Sequence, residues 1–137
     1  NSVTNRASRV QGRTLVTTAS RVWPSQALTD LERKAANGSA HVAPLSGVVF
    51  RIIGLPHEIA QKAMLYGAAR GILSAAVRLG AVGSYQAQRM QHEAGHWLDT
   101  TLEQCADLDA EALCQTAPLL DLLQGTHDRL YSRLFQS

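Results

Sequence analysis

Aromatic residues are scarce, with two Trp, three Tyr and two Phe making up 5 % of the 137 positions. A core with so few rings must be filled by Leu, Ala, Val and Ile, which suits close helix packing better than aromatic-rich strands. Cysteine is scarcer still. Cys105 and Cys114 form no CxxC pair, and two cysteines are no disulfide framework, so a reduced, cytoplasmic protein is expected. Long apolar runs are also missing. No stretch of about 18 or more uncharged apolar residues occurs, and no signal peptide is recognisable, so no membrane partner is expected. Acids are absent from residues 1–23, which carry Arg6, Arg9, Arg13 and Arg21. Lys and Arg are absent from 91–128, which hold Glu93, Asp99, Glu103, Asp107, Asp109, Glu111, Asp121 and Asp128. A formal net charge of +2 hides this asymmetry. It suits docking against charged protein surfaces better than nucleic-acid binding, which calls for a net basic domain with motif support. No Gly-rich loop follows a strand, no serine sits in a nucleophile elbow, and there is no internal repeat.

What remains is helical. The length and the 45 % hydrophobic content fit one domain spanning 1–137. Residues 4–22 place Ala7, Val10, Leu15, Ala19 and Val22 at helical spacing, with the arginines largely outside that stripe. Trp23-Pro24 ends this helix. Thr29-x-x-Glu32 has capping-box form and predicts a helix to about residue 36. Residues 39–44 read as a connection. The β-branched run 45–53 is taken as a helix because no neighbouring run offers a strand partner.

The organising stretch is 56–79, one long helix with Pro56 in its first turn. Gly67, Gly71 and Ala75 recur every four residues and form a shallow groove where another backbone can approach closely. Larger apolar residues surround them, so this helix should be buried, with other helices of the bundle closing on the groove. Lys62, Arg70 and Arg78 interrupt the apolar span and remove a membrane reading. Arg70 and Arg78 are expected to pair with the acidic segment 93–111. Ser84 opens a helix to about residue 105, and a short acidic helix over 109–115 follows. A last helical stretch after Pro118 carries Leu119, Leu123, Leu130 and Leu134 as a stripe. The expected architecture is all-α, a bundle of about six or seven helices around 56–79.

His92-Glu93-Ala94-Gly95-His96 fits HExxH, in which both imidazoles could bind one zinc while Glu93 activates its water. A catalytic site needs a third protein ligand, and no HxxGxxH continuation follows. A small zinc hydrolase is therefore the alternative, and packed or surface histidines the main reading. Cys105 and Cys114 lie among acids, which disfavours a thiolate nucleophile.

Several segments carry more than periodicity. YGAARGILSAAVRLG at 66–80, TAPLLD at 116–121 and QGTHDRLYSRLF at 124–135, with Arg9-x-Gln11-Gly12-Arg13 and His41-x-Ala43-Pro44-x-x-Gly47, resemble the UreF family of urease accessory proteins in motif order. The resemblance spans nearly the whole chain and lacks the family's N-terminal portion, an expectation in keeping with a start at Asn1. It implies an all-helical, non-catalytic chaperone, typically a homodimer. Such a protein joins UreD (also called UreH) and the GTPase UreG in a complex that delivers nickel to apo-urease. Nickel would be handled by the complex, with no bound cofactor and no metal ligand in this chain. By the same resemblance the tail contacts UreD, with His127, Leu130, Tyr131, Arg133, Leu134 and Phe135 as partner-binding residues. Apolar and Arg anchors at a free terminus are physically suited to that role.

Overall fold

The computed structural model describes residues 2–112 and 117–126. They form six α-helices and one 3-10 turn, with no strand among them. The all-α expectation is met. The chain divides into two compact units, one built from the described residues up to Leu55 with those from 117 onward, the other beginning at Pro56.

The first unit contains α1 (Ser2–Val22), α2 (Gln26–Asn37), α3 (Val42–Ile52) and α6 (Pro118–Gly125). Helix α1 is its hub and packs on the other three. The buried cluster is Val16, Ala19, Leu28, Ala35, Ala40, Leu45 and Val49, all small or aliphatic, as the shortage of aromatics requires. The buried face of α1 is rotated from the expected stripe. Gly12, Val16 and Ala19 point inward, whereas Val10 and Val22 are each 56 % exposed.

Gly12 explains the rotation. A Cβ there would lie 1.9 Å from the backbone oxygen of Ala40, so α1 approaches the chain before α3 more closely than any other residue allows. The approach is locked by Ser8, whose Oγ accepts from the Val42 N–H at 3.3 Å and lies 3.3 Å from His41 Nδ1. Two motifs far apart in sequence, one around Gly12 and one beginning at His41, thus meet at this crossing.

Helix α2 starts earlier than the capping box indicates. Ser25 is its N-cap, and the Ser25 Oγ accepts from the Leu28 N–H. Glu32 turns instead to α1, where it accepts from Thr17 Oγ1 at 2.7 Å and Ser20 Oγ at 2.8 Å. Helix α3 begins at Val42, three residues before the expected run, because Pro44 falls in its first turn, where no N–H is required.

The second unit is a helical hairpin of α4 (His57–Arg78) and α5 (Ser84–Gln104), followed by the 3-10 turn Ala110–Ala112. Gly80, at φ +71°, adopts the left-handed conformation that turns the chain after α4. Pro56 is the N-cap of α4, and Ser84 is the first residue of α5 after an N-cap at Gly83. The expectation of a buried, central helix at 56–79 is corrected. Helix α4 has no buried residue, Ile72 is 72 % exposed, and nothing lies within 4 Å of a Cβ built on Gly67 or Gly71. The physical reason is that α5 covers one side of α4 only, while the tightly packed core is assembled around α1.

Candidate functional site

The residues with functional potential lie on three surfaces. In the first unit, α6 carries Leu119, Leu120, Leu122 and Leu123, exposed by 60–73 % although apolar. Helix α6 packs on α1. A run of exposed leucines of this kind is a candidate contact surface. The tail residues His127, Leu130, Tyr131, Arg133, Leu134 and Phe135 lie outside the described residues. Also in this unit, Arg6, Arg9, Arg13 and Arg21 are all exposed on α1, as the sequence anticipates, with Arg9 Nε donating to Asn5 Oδ1 at 2.7 Å.

The second surface is the open side of α4. Gly67 and Gly71 are exposed and Ala75 is half-buried, with Ile59, Met64 and Ile72 presenting 40–72 % of their surface on the same helix. The small residues do line up as their spacing requires. They form a bare stripe rather than a seam filled by helices of the same unit.

The third surface lies between α4 and α5, where Arg70, Ser74 and Arg78 from α4 and Ser84, Gln88 and Gln91 from α5 line a pocket of about 640 Å³. Tyr66, Leu73, Val77 and Ala87 complete its walls. On α4 the polar liners recur every four residues. On α5 they follow Ser84 at one and two turns, so each helix contributes one face. Arg70 does not pair with the acidic segment as expected. Asp99 is taken by Lys62 at 2.8 Å, a bond that chiefly raises the Lys62 pKa, and among the described residues no carboxylate reaches Arg70. Sequence reasoning missed this pocket because Gln91 and Ser84 belong to no motif. The only available signal was their seven-residue spacing opposite Arg70 and Arg78.

His92 and His96 are both exposed on α5, and the His96 ring sits 6.1 Å from that of Trp97. Among the described residues no group of three or more His, Cys, Asp and Glu could hold a metal, so no third ligand is assembled around the pair. Cys105 is exposed and unpaired as a thiol. Among the described residues no helix is long and apolar enough to cross a membrane.

Comparison with known proteins gives a consistent answer. The family model for UreF matches residues 1–95. The chain is 40 % identical to urease accessory protein F of Arabidopsis thaliana, covering 100 % of this chain and 59 % of that protein. It is 34 % identical to urease accessory protein F of Oryza sativa subsp. indica, over 98 % of this chain and 53 % of that one. A fission yeast protein named as uncharacterized and UreF-like is 37 % identical over 80 % of the chain and 48 % of its own length. The chain therefore spans about half the length of the curated relatives it matches. No solved structure gives a significant match. With a family model matching more than half of its length and relatives that agree in name, the chain belongs to the UreF family of urease accessory proteins.

Proposed function

We propose that the protein is a non-catalytic accessory scaffold in urease maturation, bridging UreD and UreG while nickel is inserted into apo-urease. It works as a cytoplasmic homodimer and holds no resident metal. The observation that carries this reading, beyond family membership, is the row of exposed leucines on α6. That helix leads directly into the segment with Leu130, Tyr131, Arg133, Leu134 and Phe135, and together they supply the apolar and guanidinium anchors of a protein interface.

The bare Gly67, Gly71 and Ala75 stripe of α4 serves the same purpose, as a surface where a partner helix can approach closely. Removal of residues 131–137 should abolish co-purification with UreD while leaving the circular dichroism spectrum unchanged. Undiminished capture of UreD by the shortened protein would refute the assignment of the tail. No observation favours the zinc-hydrolase reading, which requires a third ligand beside His92 and His96.

A further inference from the structure

The first half of α1 carries a row of cations that its own unit does not neutralise. Arg6, Arg9 and Arg13 follow one another at helical spacing and are all exposed. Arg6 and Arg13 have no hydrogen bond or ion pair among the described residues. The Arg9 Nε donates to Asn5 Oδ1 at 2.7 Å, which steadies the guanidinium and leaves its terminal nitrogens without an acceptor among the described residues. Residues 1–23 contain no Asp or Glu to answer them. Elsewhere in the unit, Asp30 is held by Arg33 at 2.8 Å, and Glu32 accepts from Thr17 and Ser20.

The arrangement specifies what fits it. From Arg6 to Arg13 the row runs about 10 Å along the helix axis, so its complement is a line of acids of the same length. Carboxylates one turn apart on a facing helix have that spacing. Val10, 56 % exposed, follows Arg6 by one turn and precedes Arg13 by three residues, which sets an apolar spot among the charges. The cations of residues 1–23 are all Arg and never Lys, and the planar guanidinium matches a carboxylate with two parallel bonds. A lipid surface calls for large apolar side chains beside the charges, whereas the aliphatic face of α1 is spent on the core through Val16 and Ala19. A nucleic-acid strand calls for aromatic stacking platforms, and residues 4–18 contain none. A second copy of the chain is a poor match. Its Asp99 is taken by Lys62, and Asp107 and Asp109 lie beyond the end of α5, where Asp109 Oδ1 accepts from the Glu111 and Ala112 N–H groups.

We propose that the exposed face of α1 around Arg6, Arg9 and Arg13 docks an acidic helix of another protein, with carboxylates one turn apart on the guanidinium groups and an apolar side chain on Val10. Contacts of this kind between exposed charges speed encounter and fix register, and they weaken as salt rises. The inference does not depend on the bridging role, which rests on α6 and the tail.

The test is fluorescence anisotropy of a labelled, alanine-rich helical peptide with glutamates one turn apart along one face, titrated with the intact protein at low salt. Saturable binding that weakens with added chloride is expected, and the same peptide with glutamine in place of glutamate should not bind. Replacing Arg6, Arg9 and Arg13 together by Gln should weaken binding at least tenfold with an unchanged circular dichroism spectrum. A control of equal charge, Lys34→Gln with Arg51→Gln and Arg89→Gln, all at exposed positions, should bind within about twofold of the unaltered protein. Equal loss in the two triple variants would reduce the effect to net charge and overturn the proposal. Absence of saturable binding would overturn it as well, as would tighter binding to single-stranded oligothymidylate or to phosphatidylserine vesicles than to the peptide. Self-association of the protein at low salt that the Arg6, Arg9 and Arg13 replacements abolish would assign the face to a second copy instead.

Discussion

Replacing Gly12 by alanine should destabilise the protein, although the same change is stabilising in most helix interiors. In an open helix, alanine gains about 0.5–1 kcal/mol over glycine. At Gly12 the added methyl group would sit 1.9 Å from Ala40 O and 2.9 Å from Ala40 C, where ordinary contact begins at 3.4 Å. Both obstacles are backbone, so no rotamer change can relieve the overlap. Helix α1 must move away from residues 40–41, which loosens Val16 and Ala19 in the core and stretches the Ser8–Val42 hydrogen bond.

Overpacking of this kind costs about 1–3 kcal/mol and sometimes more, so after the propensity gain a net loss of about 2 kcal/mol is expected. For a chain of this size that is a fall in melting temperature of roughly 5–10 °C. The companion variant is Gly47→Ala in α3, where nothing lies within 4 Å of the new Cβ; it should be neutral or stabilising by about 0.5–1 kcal/mol. Urea denaturation followed by circular dichroism reads both. A Gly12→Ala protein with an unchanged or higher midpoint would refute the close crossing of α1 over residues 40–41.

Truncating the fully buried Leu28 to alanine should cost about 2–5 kcal/mol by denaturant titration, since its neighbours Val16, Ala35 and Val49 cannot all collapse into the space. Ser25→Ala removes the acceptor for the Leu28 N–H and should cost about 1 kcal/mol in the same assay. Glu32 is held below its ordinary pKa by the hydroxyls of Thr17 and Ser20, so its contribution is present above pH 4.5 and is lost as pH falls through the lowered value. Glu32→Gln should accordingly flatten the acid arm of a stability–pH curve, and an unchanged acid arm would count against the bond pair. Lys62→Met should leave stability almost unaltered in high salt, as its bond to Asp99 is between two half-exposed side chains; a large salt-independent loss would contradict that geometry.

Helix existence and order were legible from periodicity and punctuation, because proline, glycine and capping residues act locally. Trp23-Pro24, Asn37-Gly38 and Gly80 each end a helix within a residue or two of the expected place. The direction in which each helix faces was harder to read. Val10 and Val22 looked like core and are half-exposed, because the decisive residue on α1 is Gly12, whose meaning depends on a backbone twenty-eight positions away. Glu32 illustrates the same limit. Its spacing from Thr29 is that of a capping box, but the side chain found better donors on another helix. Helix α4 misled for a related reason. Its apolar residues implied burial, whereas hydrophobicity alone does not say whether the covering surface belongs to the same chain. Of the candidate surfaces, the α4 stripe was visible as a pattern, while the pocket required two helices to be brought side by side.

The sparse interior of the second unit bears on how the protein behaves in a cell. Helices α4 and α5 hold Ala87 and Gln91 as their only buried residues among those described, too little apolar surface to make the hairpin strongly cooperative. Its backbone amides should exchange with solvent well before those of α1 and α3. A segment of this kind draws its stability from whatever binds it, rising with the logarithm of the occupant's concentration over its dissociation constant. A partner docked on the bare α4 face, as proposed above, should accordingly slow amide exchange throughout the hairpin.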